Sequence, residues 1–200
     1  MQFKSYNYNL KRISDVLSDD SGTKYLWVAF DKDTDGICHL YKVSAHNPLQ
    51  IYYDLELEVE AINKLYIDGN YIYLALDDSQ YIGYRYSKGT PLTSYLAIDL
   101  PSGISEAPID LVVKDSYIYF LLPGIISGTI ASIVKMSVSG TLDEIIELQK
   151  SGEIINNAKS ITIDTNDNIW IVTNESPSKL VRVYETSGGV YTFDTKTLIV

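Results

Sequence analysis

Asp68-Gly69-Asn70-Tyr71-Ile72-Tyr73-Leu74-Ala75-Leu76 is the stretch on which the fold turns. Asp-Gly-Asn is turn chemistry, because glycine and asparagine tolerate the left-handed backbone of a tight reversal. The run that follows alternates Ile72, Leu74 and Leu76 with Tyr71, Tyr73 and Ala75, so both of its faces are apolar. That is the pattern of a strand covered on both sides. Three other stretches read the same way: Tyr25-Leu26-Trp27-Val28-Ala29-Phe30, Tyr117-Ile118-Tyr119-Phe120-Leu121-Leu122 and Asn168-Ile169-Trp170-Ile171-Val172-Thr173.

Aligned on Trp27, Tyr73, Tyr119 and Trp170, the copies lie 46, 46 and 51 residues apart. Leu26, Val28 and Phe30 share a face, matching Ile72, Leu74 and Leu76, and Ile118, Phe120 and Leu122. Tyr25, Trp27 and Ala29 take the other face, matching Tyr71, Tyr73 and Ala75. Each copy carries three more strand-like runs in one order. One precedes the central strand (13–18, 62–67, 109–113, 160–163) and one follows it (38–43, 81–86, 132–138, 179–184). A last run closes the unit (50–57, 94–100, 142–148, 190–193). Turn residues join them at Asp20-Ser21-Gly22, Ser87-Lys88-Gly89, Ser139-Gly140 and Ser187-Gly188-Gly189. The run 142–148 also fits a helical i, i+3, i+4 spacing, and good helix formers separate Leu55, Leu57 and Val59; position in the repeat assigns both to strands. Four short strands per unit of this length is the signature of a β-propeller blade. The expectation is an all-β fold, one domain over residues 1–200, with units at 11–57, 58–104, 105–150 and 151–200.

Asp164-Thr165-Asn166-Asp167-Asn168-Ile169-Trp170-Ile171-Val172-Thr173 resembles the D-x-x-G-N-I-W-V-x-T signature of NHL-type and related regulator propellers. Asp68-Gly69-Asn70-Tyr71-Ile72-Tyr73-Leu74-Ala75 is a shorter version. Asp167 replaces the family's usual glycine, and the other two copies keep only the strand. The resemblance covers nearly the whole chain as a period and implies a propeller fold; it assigns no activity, since such folds host many functions. Two closures follow from it. The four units form a four-bladed ring, with residues 3–10 as an outer strand that completes the last blade and 194–200 as an added strand or tail. Alternatively, the chain is part of a larger ring shared between subunits.

Composition narrows the function classes. Of the residues, 46% are hydrophobic and 21% charged, which suits a packed domain and argues against disorder. The formal charge of −10 and a pI near 4.6 disfavour general binding to a phosphate backbone. Seventeen tyrosines favour strands. The one cysteine, Cys38, sits in an apolar run and reads as a buried structural thiol, with the adjacent His39 on the opposite face of the strand. The first ten residues show no signal-peptide pattern, and no apolar run spans a membrane. Those features lead to an expected cytoplasmic or virion-associated location.

The most specific local motif is Asp31-Lys32-Asp33-Thr34-Asp35-Gly36, which matches the D-x-D-x-D-G start of a calcium loop. Asp31, Asp33 and Asp35 are therefore the candidate metal ligands and calcium the candidate cofactor. His39 and Lys42 stand at the ninth and twelfth positions, where such loops place ligands, and an acidic solvated hairpin tip is the competing reading. Most tyrosines read as packing between sheets; Tyr84, Tyr86 and Tyr95 are expected to reach a surface, with Tyr84 and Tyr95 the candidate ligand-binding pair. Neither a G-x-S-x-G, a Walker loop, an H-E-x-x-H nor a C-x-x-C occurs. These features point to a non-catalytic protein-interaction or structural module within a larger assembly such as a virion or appendage, with a protein partner or further copies of itself. The second reading is a propeller that binds a carbohydrate or small ligand. A lyase- or lactonase-like enzyme ranks third. Function is expected where the copies differ, at loops 31–36, 123–129 and 174–178.

Overall fold

The computed structural model describes residues 13–18, 25–47, 50–89, 95–125 and 130–198. The first sheet contains β1 (Ile13–Ser18), β2 (Tyr25–Phe30), β3 (Cys38–Ser44) and β4 (Ile51–Leu57). The second contains β5 (Ala61–Asp68), β6 (Tyr71–Asp77), β7 (Tyr81–Ser87) and β8 (Tyr95–Asp99). The third contains β9 (Asp110–Lys114), β10 (Tyr117–Leu122), β11 (Ser132–Ser137) and β12 (Leu142–Glu147). A short ribbon of β13 (Gln149–Lys150) and β14 (Glu153–Ile154) leads to the fourth sheet. That sheet contains β15 (Ala158–Ile163), β16 (Ile169–Thr173), β17 (Lys179–Glu185) and β18 (Tyr191–Thr197). Each four-stranded sheet is an antiparallel meander in chain order. Among the described residues there is no helix.

The stretch 142–147 is a strand, β12, held by β11 through Ile133↔Ile146 and Val134↔Ile145. Residues 194–197 are not a separate element. They continue β18, which pairs with β17 from Glu185↔Tyr191 to Lys179↔Thr197. The fourth sheet thus draws all four strands from its own unit; the run 3–10, expected to complete it, lies outside the described residues, as does the Asp20-Ser21-Gly22 turn.

The sheets stack with a constant polarity. Trp27 and Ala29 of the first pack on Ile72, Leu74 and Leu76 of the second. Tyr73 and Ala75, on the reverse of the second, pack on Ile118, Phe120 and Leu122 of the third. Leu121 and half-buried Tyr119, on the reverse of the third, meet Ile169 and Ile171 of the fourth. Burying these aliphatic and aromatic faces is the main stabilising term. Gly83 marks how close the approach is: a Cβ there would lie 2.4 Å from the Leu74 carbonyl oxygen and 2.8 Å from the Phe120 ring.

Polar side chains on the first strands stitch each sheet to the next. The Leu65 N–H donates to Asp15 Oδ2 at 2.8 Å, with Lys64 Nζ 3.4 Å away. Asn63 Nδ2 donates to the Pro108 carbonyl at 2.8 Å. Asp110 Oδ2 accepts from the Ser160 hydroxyl at 2.7 Å and the Ile161 N–H at 3.0 Å. Bulges beside Asp15, Asn63 and Ser160 turn these strands out of simple register. β1 lies against β5, β5 against β9 and β9 against β15. No contact of that extent joins β15 to β1, so among the described residues the sheets do not close into the four-bladed ring that was one of the two arrangements expected from the sequence.

Candidate functional site

A basic residue stands opposite the marker aromatic in every sheet: Lys42 across from Trp27, Arg85 from Tyr73, Lys135 from Tyr119 and Arg182 from Trp170. In three sheets the cation lies over the tyrosine two residues before that aromatic. Lys42 Nζ is 4.6 Å from the Tyr25 ring, Arg85 4.7 Å from Tyr71 and Lys135 4.4 Å from Tyr117. Attraction between a cation and an aromatic face favours the pairing. Position 168 is Asn, and Arg182 instead lies 4.8 Å from Tyr184 on its own strand. Sequence reasoning missed this unit, although the basic residue recurs at one place in each third run.

Between the first three sheets the unit is closed over. Trp27 and Tyr73 are buried, and the Arg85 guanidinium donates to the Val138 carbonyl of the third sheet. Between the third and fourth sheets it opens into a cleft of about 420 Å³, walled by Tyr117, Tyr119, Lys135 and Tyr191. Two turns form its rim. Asp115 and Ser116 both have positive φ, the geometry of a two-residue hairpin that usually takes glycine. At Asn166-Asp167-Asn168 the Asp164 carboxylate holds the loop. Its Oδ1 accepts from the Asn166 and Asn168 N–H groups at 2.8 and 3.0 Å, and its Oδ2 from Trp170 Nε1 at 2.9 Å. The Trp170 and Asn168 bonds hold Asp164 well below the usual carboxylate pKa.

Both lysines of the cleft are paired with aspartates. Burial opposes the charge of Lys135, but Asp143 Oδ2 at 2.7 Å and the neighbouring tyrosines outweigh it and raise the lysine pKa. Lys114 pairs with Asp167, which raises its pKa, and donates to the Asp164 carbonyl at 2.7 Å. Burial pushes the Tyr119 phenol up to about 12, and it stays protonated at neutral pH.

The expected metal loop has the turn geometry of Asp164. Asp33 Oδ1 accepts from the Asp35 and Ile37 N–H groups at 2.8 and 3.0 Å, and Gly36 takes the positive φ that Asp167 takes in the other turn. Six residues on, His39 Nε2 lies 3.1 Å from Asp33 Oδ2, in the place of Trp170 Nε1. Both oxygens of Asp33 are thus engaged by protein groups. The acidic and histidine ligand atoms gathered within 4.8 Å among the described residues belong to His39, Asp54 and Glu56, and exclude Asp31, Asp33 and Asp35. His39 Nδ1 is 2.9 Å from Asp54 Oδ1. Burial would lower the His39 pKa, but the hydrogen bonds to Asp54 and Asp33 prevail and raise it.

Tyr84 and Tyr86 do not reach the surface. They project from β7 toward the first sheet and are buried there, so burial pushes the Tyr84 phenol up to about 12. Tyr95 is 55% exposed, its ring 5.0 Å from that of Tyr84. Cys38 is buried against the Val59 carbonyl, and burial raises its thiol to about 11. Of the loops expected to differ in function, residues 126–129 lie outside the described residues.

No family model matches the chain, and no curated protein matches it. Among solved structures, one similar chain is the extracellular domain of a protein described as a hybrid two-component system, from B. thetaiotaomicron. It is 14% identical, with a TM-score of 0.61 over 98% of this chain. The chain spans 23% of that chain's length. A eukaryotic initiation factor aligns more loosely, at 10% identity and a TM-score of 0.46 over 85% of this chain and 40% of that one. The first likeness supports a β-rich repeat fold and does not single out NHL-type propellers. No helix among the described residues is long and apolar enough to cross a membrane.

Proposed function

We propose that the chain is a run of four β-propeller blades that works as a non-catalytic interaction module, with the outer face of the fourth sheet taking a further sheet from another copy. The observation that carries this reading is the constant stacking polarity. The face bearing Trp27, Tyr73 or Tyr119 meets the aliphatic face of the following sheet each time. The fourth sheet presents the corresponding face with Trp170, Val172, Leu180 and Tyr184 around the exposed Arg182–Asp194 ion pair, and Val172 there is 40% exposed. Exposed apolar surface of this kind marks interaction sites. The similar extracellular domain is a chain of which this array aligns with only 23%, which agrees with blades that belong to a longer arrangement. A non-catalytic role is supported by the chain's one thiol, Cys38, which burial keeps protonated and so a poor nucleophile.

Light scattering across a concentration series tests the proposal. The reading predicts association that Val172→Asp abolishes while leaving the fold intact, because the side chain is already partly in water. A chain that stays monomeric throughout, or a Val172→Asp variant that associates equally well, would count against it.

A further inference from the structure

The cleft between the third and fourth sheets is independent of that end face and has its own chemistry. The same aromatic–cation unit is buried by the neighbouring sheet at Trp27 and Tyr73, but at Tyr119 the sheets part around about 420 Å³. That volume is in the range of small-ligand sites. Among the described residues, the Tyr117 and Tyr119 hydroxyls make no hydrogen bond to the protein. Lys135 is matched by Asp143 and Lys114 by Asp167, so among the described residues no unpaired cation lines the cleft to attract an anionic ligand. The two ammonium groups on the walls also disfavour a cationic one. Asp115 and Glu185 at the cleft carry no ion pair among the described residues and are free to accept hydroxyl hydrogen bonds.

We propose that this cleft binds a neutral, hydroxyl-rich ligand, a short oligosaccharide, with its C–H faces against the tyrosine rings and its hydroxyls on Tyr119, Asp115 and Lys135. Tyrosine suits this task because it offers an apolar ring and a polar tip on a stiff side chain. The site differs from the Tyr84–Tyr95 pair suggested by sequence, because Tyr84 is buried and Tyr119 opens to the cleft.

Titration calorimetry of the whole chain with neutral gluco-, xylo-, manno- and galacto-hexaoses, and with a hexagalacturonate as the acidic control, tests the assignment. The expected result is saturable binding of at least one neutral oligosaccharide, weakened about tenfold or more in Tyr119→Ala and in Asp115→Asn, and unchanged in Tyr95→Ala. Tyr119→Phe keeps the ring and the fold and is expected to lose part of the affinity, which covers the case in which Tyr119→Ala does not fold. Failure of every neutral oligosaccharide to bind, preference for the acidic one, or binding indifferent to both Tyr119→Phe and Asp115→Asn would overturn the proposal. None of these outcomes bears on self-association through the fourth sheet.

Discussion

Two turns built alike carry different side chains six residues on, and the difference decides their chemistry. Asp164 caps its turn and takes the Trp170 indole N–H; Asp33 caps its own and meets His39, which also reaches Asp54. A D-x-D-x-D-G string looks the same whether its carboxylates face a metal or the turn's own N–H groups; here both oxygens of Asp33 are engaged by protein groups, so a cation bound at Asp33 would compete with His39. The His39 clamp also predicts a pH dependence. Two carboxylates make the folded histidine hold its proton more tightly than the unfolded one, whose ordinary pKa is 6.5. The stability it adds is complete below that value and is lost as pH rises through the raised folded pKa. Thermal unfolding followed against pH should show this loss in the native chain and not in His39→Gln; superimposable profiles would remove His39 from the account.

At the level of the strand, the sequence is easy to read where both faces are apolar. The runs Tyr25–Phe30 and Tyr117–Leu122 are strands over those residues, and the run around Tyr73 is a strand over Tyr71–Asp77. Fully covered strands leave no second way to satisfy their side chains. The β13–β14 ribbon escaped notice because four residues carry no period. Burial of Tyr84 and Tyr86 escaped because alternation assigns a residue to a face without saying which sheet covers it. Gly83 shows what that covering demands. It pairs with Ala75 on β6 and leaves room for the Phe120 ring of the next sheet. Gly83→Ala should therefore destabilise by about 1–3 kcal/mol, the usual penalty of overpacking a tight contact. Urea denaturation would measure it, and a variant as stable as the native chain would mean that the second and third sheets do not meet there.

Across the whole molecule, the period told how many four-stranded sheets there are but not whether they close on themselves. Closure depends on small rotations between neighbouring sheets, and those are set by packing rather than by spacing. The polar stitches at Asp15, Asn63 and Asp110 fix three such contacts in series, and among the described residues the fourth sheet ends the array with Trp170 half-buried. The chain's two tryptophans report on its two kinds of face, since Trp27 is buried between the first and second sheets. Acrylamide quenching of two single-tryptophan variants is thus the most direct measurement. With Trp27→Phe, the remaining Trp170 should be quenched in dilute solution and become protected as protein concentration rises. With Trp170→Phe, Trp27 should be protected at every concentration. Equal protection of both in dilute solution would mean that the array closes on itself, and would contradict the open face on which the proposed interaction rests.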